Sequence, residues 1–536
     1  MSKVVDAPVA RQFPAWERWV VLGVSTLGGF MAAIQGSALI VALPDLMEAL
    51  HTTIGTIMWV MIAYILVVAA IALPLGKVGD KLGRASTYNI GFFLFALGGL
   101  LSGFAKPSHE GFDLVGYRVI QGLGAAFIFV SSGAIVADRF APFNQVGLAT
   151  GIIQLSFAAG TVVGPVVGGG ALLASWGWVF WVTTIPAAIG CILGFWKNKN
   201  IYPFSAQRLF SFLRHYNTIG AVFIIVAITM LVMLLSFAVF PDGTFISSSK
   251  GLGMLGGLTV LFLILYVATE WFSKTPVIDW SMFKSRNFSI ALVNATLGSF
   301  VRSSFVFAFI FFFQGPFAQS PLMAGVYVIP FGVGLMIAGL ISGKLADRMG
   351  ARTLSIIGPL IGAISAIGTI FHTNHTNYGA IAVNIFILGF GWGIFNSPIM
   401  TLLMLAVPPS KRGEASALNM TALMLAQMLA IIFVFKFILT SLPFELALQL
   451  FLYGGGGLDD GAIHDFLKGL HVVYYVCIAL SILAGLISFA ISRQPVAQSN
   501  AEPAADEVVV ENGKIADAEK GLETHGSQAT VVSEQR

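Results

Sequence analysis

The strongest constraint on this chain is the serial recurrence of apolar runs of about 20 residues, each long enough to cross the hydrocarbon core of a bilayer as a helix. Fourteen such runs fall between Trp19 and Ser492; the first lies near 19–43, the sixth at 175–196, the tenth at 321–343 and the last at 469–492. In lipid every backbone N–H and C=O must find a partner within the chain, so runs of this length are expected as helices, giving an all-α integral membrane fold with 14 transmembrane helices. Composition agrees, since 57% of the 536 residues are hydrophobic and only 10% are charged, against roughly 25% charged in a soluble domain. That balance argues against a soluble enzyme or a nucleic-acid-binding module and names the lipid bilayer as the first partner. Cys191 and Cys477 both lie inside apolar runs and carry no redox or metal signal.

Lys and Arg accumulate in cytoplasmic loops, so their distribution sets the orientation. With the N-terminus inside, only Lys106, Lys250 and Lys468 of the 29 bases fall in external loops, and Arg118, Arg302 and Lys436 fall within spans. Both termini are therefore expected in the cytoplasm and the chain in the plasma membrane. No small-residue cleavage site precedes the first run, which reads as an uncleaved span. The expected organisation is a cytoplasmic segment (1–18), six spans (19–196), a linker with two inserted spans (197–286), six more spans (287–492) and a disordered acidic tail (493–536). The one sizeable external loop, Leu442 to Lys468, carries Gly454 to Gly457 and then Asp459-Asp460, and reads as a flexible connector.

Between the second and third runs of the first half stands Gly76-Lys77-Val78-Gly79-Asp80-Lys81-Leu82-Gly83-Arg84, and at the matching place in the second half Gly343-Lys344-Leu345-Ala346-Asp347-Arg348-Met349-Gly350. The shared pattern G-x-x-x-D-(K/R)-x-G marks two halves built on one plan. Its glycines suit a close helix approach at a tight turn, its carboxylate can cap or pair across the loop, and its bases hold it on one membrane face. In the fourth span Arg118, Gln121, Gly122 and Ala125 share one helical face. A guanidinium within a span costs about 2.5–3.5 kcal/mol on insertion scales and usually faces a bundle interior or a wet cavity; snorkelling to the near surface is the alternative. In the fifth span Gly160, Gly164, Gly168 and Gly169 with Pro165 combine four-residue small-residue spacing with a kink.

Together these motifs resemble the major facilitator superfamily, and within it the fourteen-span drug:H⁺ antiporter type. The loop repeats resemble its conformational-switch loops, the Arg118 segment its R-x-x-x-G-x-G element, Gly160 to Gly169 its antiporter motif, and Ala42-Leu43-Pro44 the end of its first-span motif. The resemblance covers Trp19 to Arg493. It implies two six-helix bundles, plus two inserted spans, rocking about a central cavity in alternating access, with H⁺ as the coupling ion and a small molecule as substrate.

One departure stands out. Where the first-span motif of that family usually has an Asp that pairs with the fourth-span Arg, this chain has Gln35, which cannot titrate, and none of its 25 acids falls near the middle of a span. Arg302, in contrast, lies near the middle of the ninth span. The charges buried in spans are thus all positive, which suits an anionic or amphiphilic substrate held by Arg118 and Arg302. The alternative is a structural latch, with Arg302 neutralised by helix-end carbonyls or by Asn294, Gln314, Asn384 or Asn396. Gln35, Arg118, Gln121, Arg302, Asn294 and Asn396 are the candidate cavity residues. His372 and His375 have no third ligand near them in sequence, so no metal is expected; nor is a cofactor, and no Walker-type loop offers direct ATP drive. No cluster of paired carboxylates or nucleophiles supports an enzyme. The sequence reads as a secondary active exporter of hydrophobic or amphiphilic small molecules. The alternative is an exporter of a specific organic anion or lipid-like metabolite that uses no buried carboxylate.

Overall fold

The computed structural model describes residues 15–492, apart from 53, 108–110, 198–215, 240–247, 274 and most of 441–459. The expected cytoplasmic segment (most of it), much of the first linker, the glycine-rich loop and the tail from 493 lie outside the described residues. Thirteen helical stretches among them are long and apolar enough to cross a membrane, and Trp178–Gly194 adds a shorter apolar one, matching the fourteen runs of the sequence.

The first set comprises α1 (Ala15–Leu50), α2 (Ile54–Leu82), α3 (Arg84–Ser102), α4 (Phe112–Phe140), α5 (Val146–Leu172) and α6 (Trp178–Lys197). A helix pair follows, α7 (Thr218–Val239) and α8 (Ser249–Phe272). The second set is α9 (Arg286–Gln314), α10 (Pro321–Tyr327), α11 (Ile329–Met349), α12 (Ala351–Thr369), α13 (Tyr378–Leu405), α14 (Arg412–Leu439) and α15 (Asp460–Ser488). Apolar length makes these segments helical; their ends are set by a few polar or permissive residues. Ser248, Ser285 and Ser320 each accept a hydrogen bond from an amide three residues on, at 3.2, 3.4 and 3.3 Å, supplying partners for first-turn amides that have none within the helix. Gly83 and Gly350, the closing glycines of the two loop motifs, have φ of +102° and +84°. Only glycine adopts that conformation without a steric penalty, so the same residue type separates α2 from α3 and α11 from α12.

Two expectations are corrected. The tenth run is not one helix from 321 to 343: Pro330 has no N–H for the carbonyl four residues earlier and its ring crowds that turn, so α10 and α11 part at Val328. The last helix begins at Asp460, not at 469, so Asp460, Asp465 and Lys468 stand on its first turns and not in a loop. Lys468 pairs there with Asp465 at 2.9 Å.

Within the first set α1 packs along α5 and α4 against both α2 and α3; within the second, α13 packs against α11 and α12. The sets meet along two seams, α5 against α11 and α2 against α14. The inserted α7 lies over the second seam, where Ile224 and Ile228 join Ala70 and Leu73 of α2 and Met428 of α14 in one buried apolar cluster. Glu270 at the end of α8 accepts hydrogen bonds from the Tyr266 hydroxyl (2.7 Å) and the amides of Val277 (2.8 Å) and Ile278 (3.0 Å), fixing the linker that leads into α9.

Candidate functional site

Between the two sets lies a cavity of about 370 Å³, walled by α1, α2, α4 and α5 on one side and by α9, α11, α13 and α14 on the other. Its wall is mostly apolar, including Phe157, Phe307, Ile310, Met420 and Met424. Of the candidate cavity residues, Arg118, Arg302 and Asn396 line it, whereas Gln35, Gln121 and Asn294 do not. These last three are fully buried behind the wall. Gln35 accepts a hydrogen bond from the Thr183 hydroxyl at 2.6 Å, which ties α1 to α6, and Asn294 donates to Ser488 at 2.9 Å, which ties α9 to α15. Among the lining residues there is no Asp, Glu, His or Lys.

Arg118 is 1% exposed, so it does not snorkel. Its Nε donates to the Val60 carbonyl at 3.1 Å, its Nη1 donates to Gln121 Oε1 at 2.6 Å, and its guanidinium lies 4.5 Å from the centre of the Tyr64 ring. The charge is therefore held by a cation–π contact and two hydrogen bonds without a carboxylate. Tyr64 also lines the cavity, and its buried hydroxyl has no hydrogen-bond partner. Nothing in the sequence pointed to Tyr64; it lies on a different span from Arg118 at a large separation. Arg302 has no hydrogen bond, ion pair or ring contact among the described residues. The neighbours expected to neutralise it are engaged elsewhere or make no bond to it: Asn294 with Ser488, and Asn384 with the Ser365 carbonyl at 3.1 Å.

At the end of the molecule that carries the loop motifs, the first copy forms an ion-pair clasp between the two sets. Asp80 accepts from Arg84 at 2.6 Å and from the amides of Gly413 and Glu414 at the start of α14, both at 3.2 Å. A carboxylate at a helix N-terminus meets unpaired amides and the positive end of the dipole together. Arg84 also reaches Asp138 at the end of α4 and donates to the Pro409 carbonyl at 2.7 Å, while Arg412 pairs with Asp138 at 2.8 Å. Lys77 stands 3.7 Å from Glu414. Lys411 pairs with Asp279 at 2.5 Å and donates to Ser281 at 2.7 Å. Burial pushes the Asp279 carboxyl up, but hydrogen bonds from Lys411 and Ser281 outweigh it and hold the carboxyl at about 2. Sequence reasoning named Asp80, Gly83 and Arg84 but missed Asp138, Lys411, Arg412 and Glu414; the signal was there as charges at the ends of spans on the basic face.

The opening glycines of the two motifs do related work. A Cβ on Gly76 of α2 would stand 2.7 Å from Ala417 Cβ and 2.9 Å from Glu414 Cα of α14; one on Gly343 of α11 would stand 3.1 Å from Gly151 Cα of α5. Each glycine thus lets its helix close on the opposite set, and the turn itself falls to Gly83 and Gly350. The second motif makes no ion pair among the described residues: Arg348 is exposed, and of Asp347 only the backbone is described. In α5, Gly160 and Gly168 face α1, where a Cβ would meet the Phe30 and Ala38 carbonyls at 2.5 and 2.7 Å; Gly164 faces Ser37 in the same row. Pro165 and Gly169 turn the other way, toward Gly325 and Leu322 of α10.

Comparison with known proteins follows the same plan. The riboflavin transporter RibZ of Clostridioides difficile is 29% identical over 433 residues, covering 80% of this chain and 90% of that protein. The multidrug efflux pump LfrA of Mycolicibacterium smegmatis is 29% identical over 434 residues, 79% of this chain and 81% of that one. The solved structure of the proton:xylose symporter XylE, 16% identical, superposes with a TM-score of 0.54 over 90% of this chain and 97% of that one, which speaks to the fold alone. The family model described as Major Facilitator Superfamily matches residues 25–208 and 209–431. Two helix sets around a shared cavity, a loop motif repeated at equivalent places and a family match across both halves lead to one conclusion: this chain belongs to the Major Facilitator Superfamily, as a multi-pass membrane transporter.

Proposed function

We propose that this transporter exports hydrophobic or amphiphilic small molecules from the cytoplasm across the plasma membrane by alternating access. The observation that carries the reading is the mostly apolar cavity shared by both helix sets and closed at one end by the Asp80–Arg84–Asp138–Arg412 clasp. The clasp end is the basic end, which supports a cytoplasmic location for it and for both termini. The structure then corresponds to a state shut toward the cytoplasm. An apolar wall with few polar groups suits a ligand that partitions into lipid, and the similarity to LfrA, an efflux pump by name, supports the direction of transport. An ion gradient drives the cycle, with H⁺ as the coupling ion to test first. Since no acid lines the cavity, proton exchange would use groups outside its wall, such as Asp80 and Glu414, which stand in the clasp between the two helix sets.

The test is accumulation of a panel of neutral, cationic and anionic amphiphilic dyes in everted membrane vesicles, with and without an imposed pH gradient. Accumulation above that of vesicles lacking the protein, abolished when the gradient is collapsed, is expected. Failure to move any dye of a neutral, cationic and anionic panel would overturn the export reading; movement indifferent to pH would overturn proton drive alone.

A further inference from the structure

We infer that the cavity is built for an amphiphilic organic anion, with Arg302 holding its charged group and the apolar wall its body; this rests on the export reading above. Three observations converge. Arg302 lines the cavity and has no partner among the described residues, whereas Arg118, the other charged residue of the lining, is stacked and hydrogen-bonded. The lining holds two guanidiniums and no acid, so nothing in the wall offsets them. Finally, the rest of the wall is mostly apolar, which suits the body of an amphiphile.

A charge within a membrane bundle is costly unless it is compensated. Arg118 meets that requirement with the Tyr64 ring, the Val60 carbonyl and Gln121. Arg302 does not, and the latch that would have made it structural is absent, since none of Asn294, Gln314, Asn384 and Asn396 makes a hydrogen bond to it among the described residues. A ligand bearing a carboxylate, sulfonate or phosphate monoester supplies the missing countercharge, and a guanidinium offers a forked, two-point contact to such groups. A cationic ligand would meet the uncompensated positive charge of Arg302 in a low-dielectric wall and be repelled.

Anilinonaphthalene sulfonate and N-phenylnaphthylamine make the test, because they share one apolar body and differ by the sulfonate. Efflux of each dye is followed in energised cells stripped of their own multidrug pumps, against cells without the protein. Wild type is expected to export the sulfonate at least about tenfold faster than the neutral dye, the size of one good charge-assisted contact. Arg302→Gln should bring the two within about twofold by losing the anion and keeping the neutral dye. Arg302→Lys, which keeps the charge, should retain part of the preference. Equal export of both dyes by wild type, or equal loss of both in Arg302→Gln when Arg302→Lys is fully active, overturns the anion assignment and leaves the export reading standing. Export of neither dye by wild type overturns the export reading and the inference with it.

Discussion

Arg118 owes its position to groups that a lysine could not use. The guanidinium spans the Val60 carbonyl, Gln121 Oε1 and the Tyr64 ring at once; an ammonium is a compact, strongly hydrated charge without a flat face to stack. Arg118→Lys is therefore expected to lower efflux more than tenfold while the protein still purifies as a single folded species, checked by dye efflux beside thermal unfolding. Thr183→Val acts in the opposite way. It removes the only hydrogen bond of the Gln35 side chain among the described residues, at a fully buried site, and should cost about 1–3 kcal/mol of stability, read as a lower melting temperature. Transport should persist, because Gln35 stands behind the cavity wall. That placement was beyond sequence reasoning: the position of Gln35 along α1 was legible, but the side of the helix that faces α6 depends on packing across the bundle.

The glycines of the loop motifs belong to helix pairs. Gly76→Val would drive a branched side chain into Ala417 and Glu414 of α14, and Gly343→Val would do the same to Gly151 of α5; overpacking of this kind costs about 1–3 kcal/mol. Both variants are expected to open the loop-motif end and to reduce export at least tenfold, with labelling of a cysteine introduced beside Gly413 reporting the opening. Asp80→Asn should open the same end without any steric change, since it weakens the pair with Arg84 and the acceptance from two α14 amides. If labelling stays at the wild-type level in all three variants, the clasp is not what holds that end shut. The sequence made the motif, its repetition and its membrane side legible because each is a local pattern. It did not disclose that the first copy reaches across to Pro409, Gly413 and Glu414, because such contacts join residues more than three hundred positions apart. The break at Val328 was legible in hindsight from Pro330, whereas the early start of α15 was masked by its charged first turns.

Taken as one body, the molecule is two related halves, and the first motif copy carries ion pairs at the end where the halves meet. The linker that follows α8 is fastened to the start of α14 by the pair between Asp279 and Lys411. The Asp279 carboxyl is depressed to about 2 against an ordinary value near 4. Its contribution to stability is thus complete above about pH 4 and is lost only as pH falls toward 2. Asp279→Asn should lower stability by about 1 kcal/mol or less, and by the same amount at pH 5 as at pH 8; a difference that vanished at pH 5 would show that Asp279 titrates in the working range. The fourteen spans, the two-half plan and the depth of Arg302 were readable from hydropathy and charge, whereas whether a neighbour neutralised Arg302 was left open, since that depends on side-chain packing between spans.

The inserted α7 lies on the outer face of the seam between α2 and α14, with Ile224 and Ile228 closing over Ala70, Leu73 and Met428. A molecule dissolved in the bilayer that travelled sideways toward the centre would find this flank boarded over, so a lateral doorway here would first require α7 to swing aside.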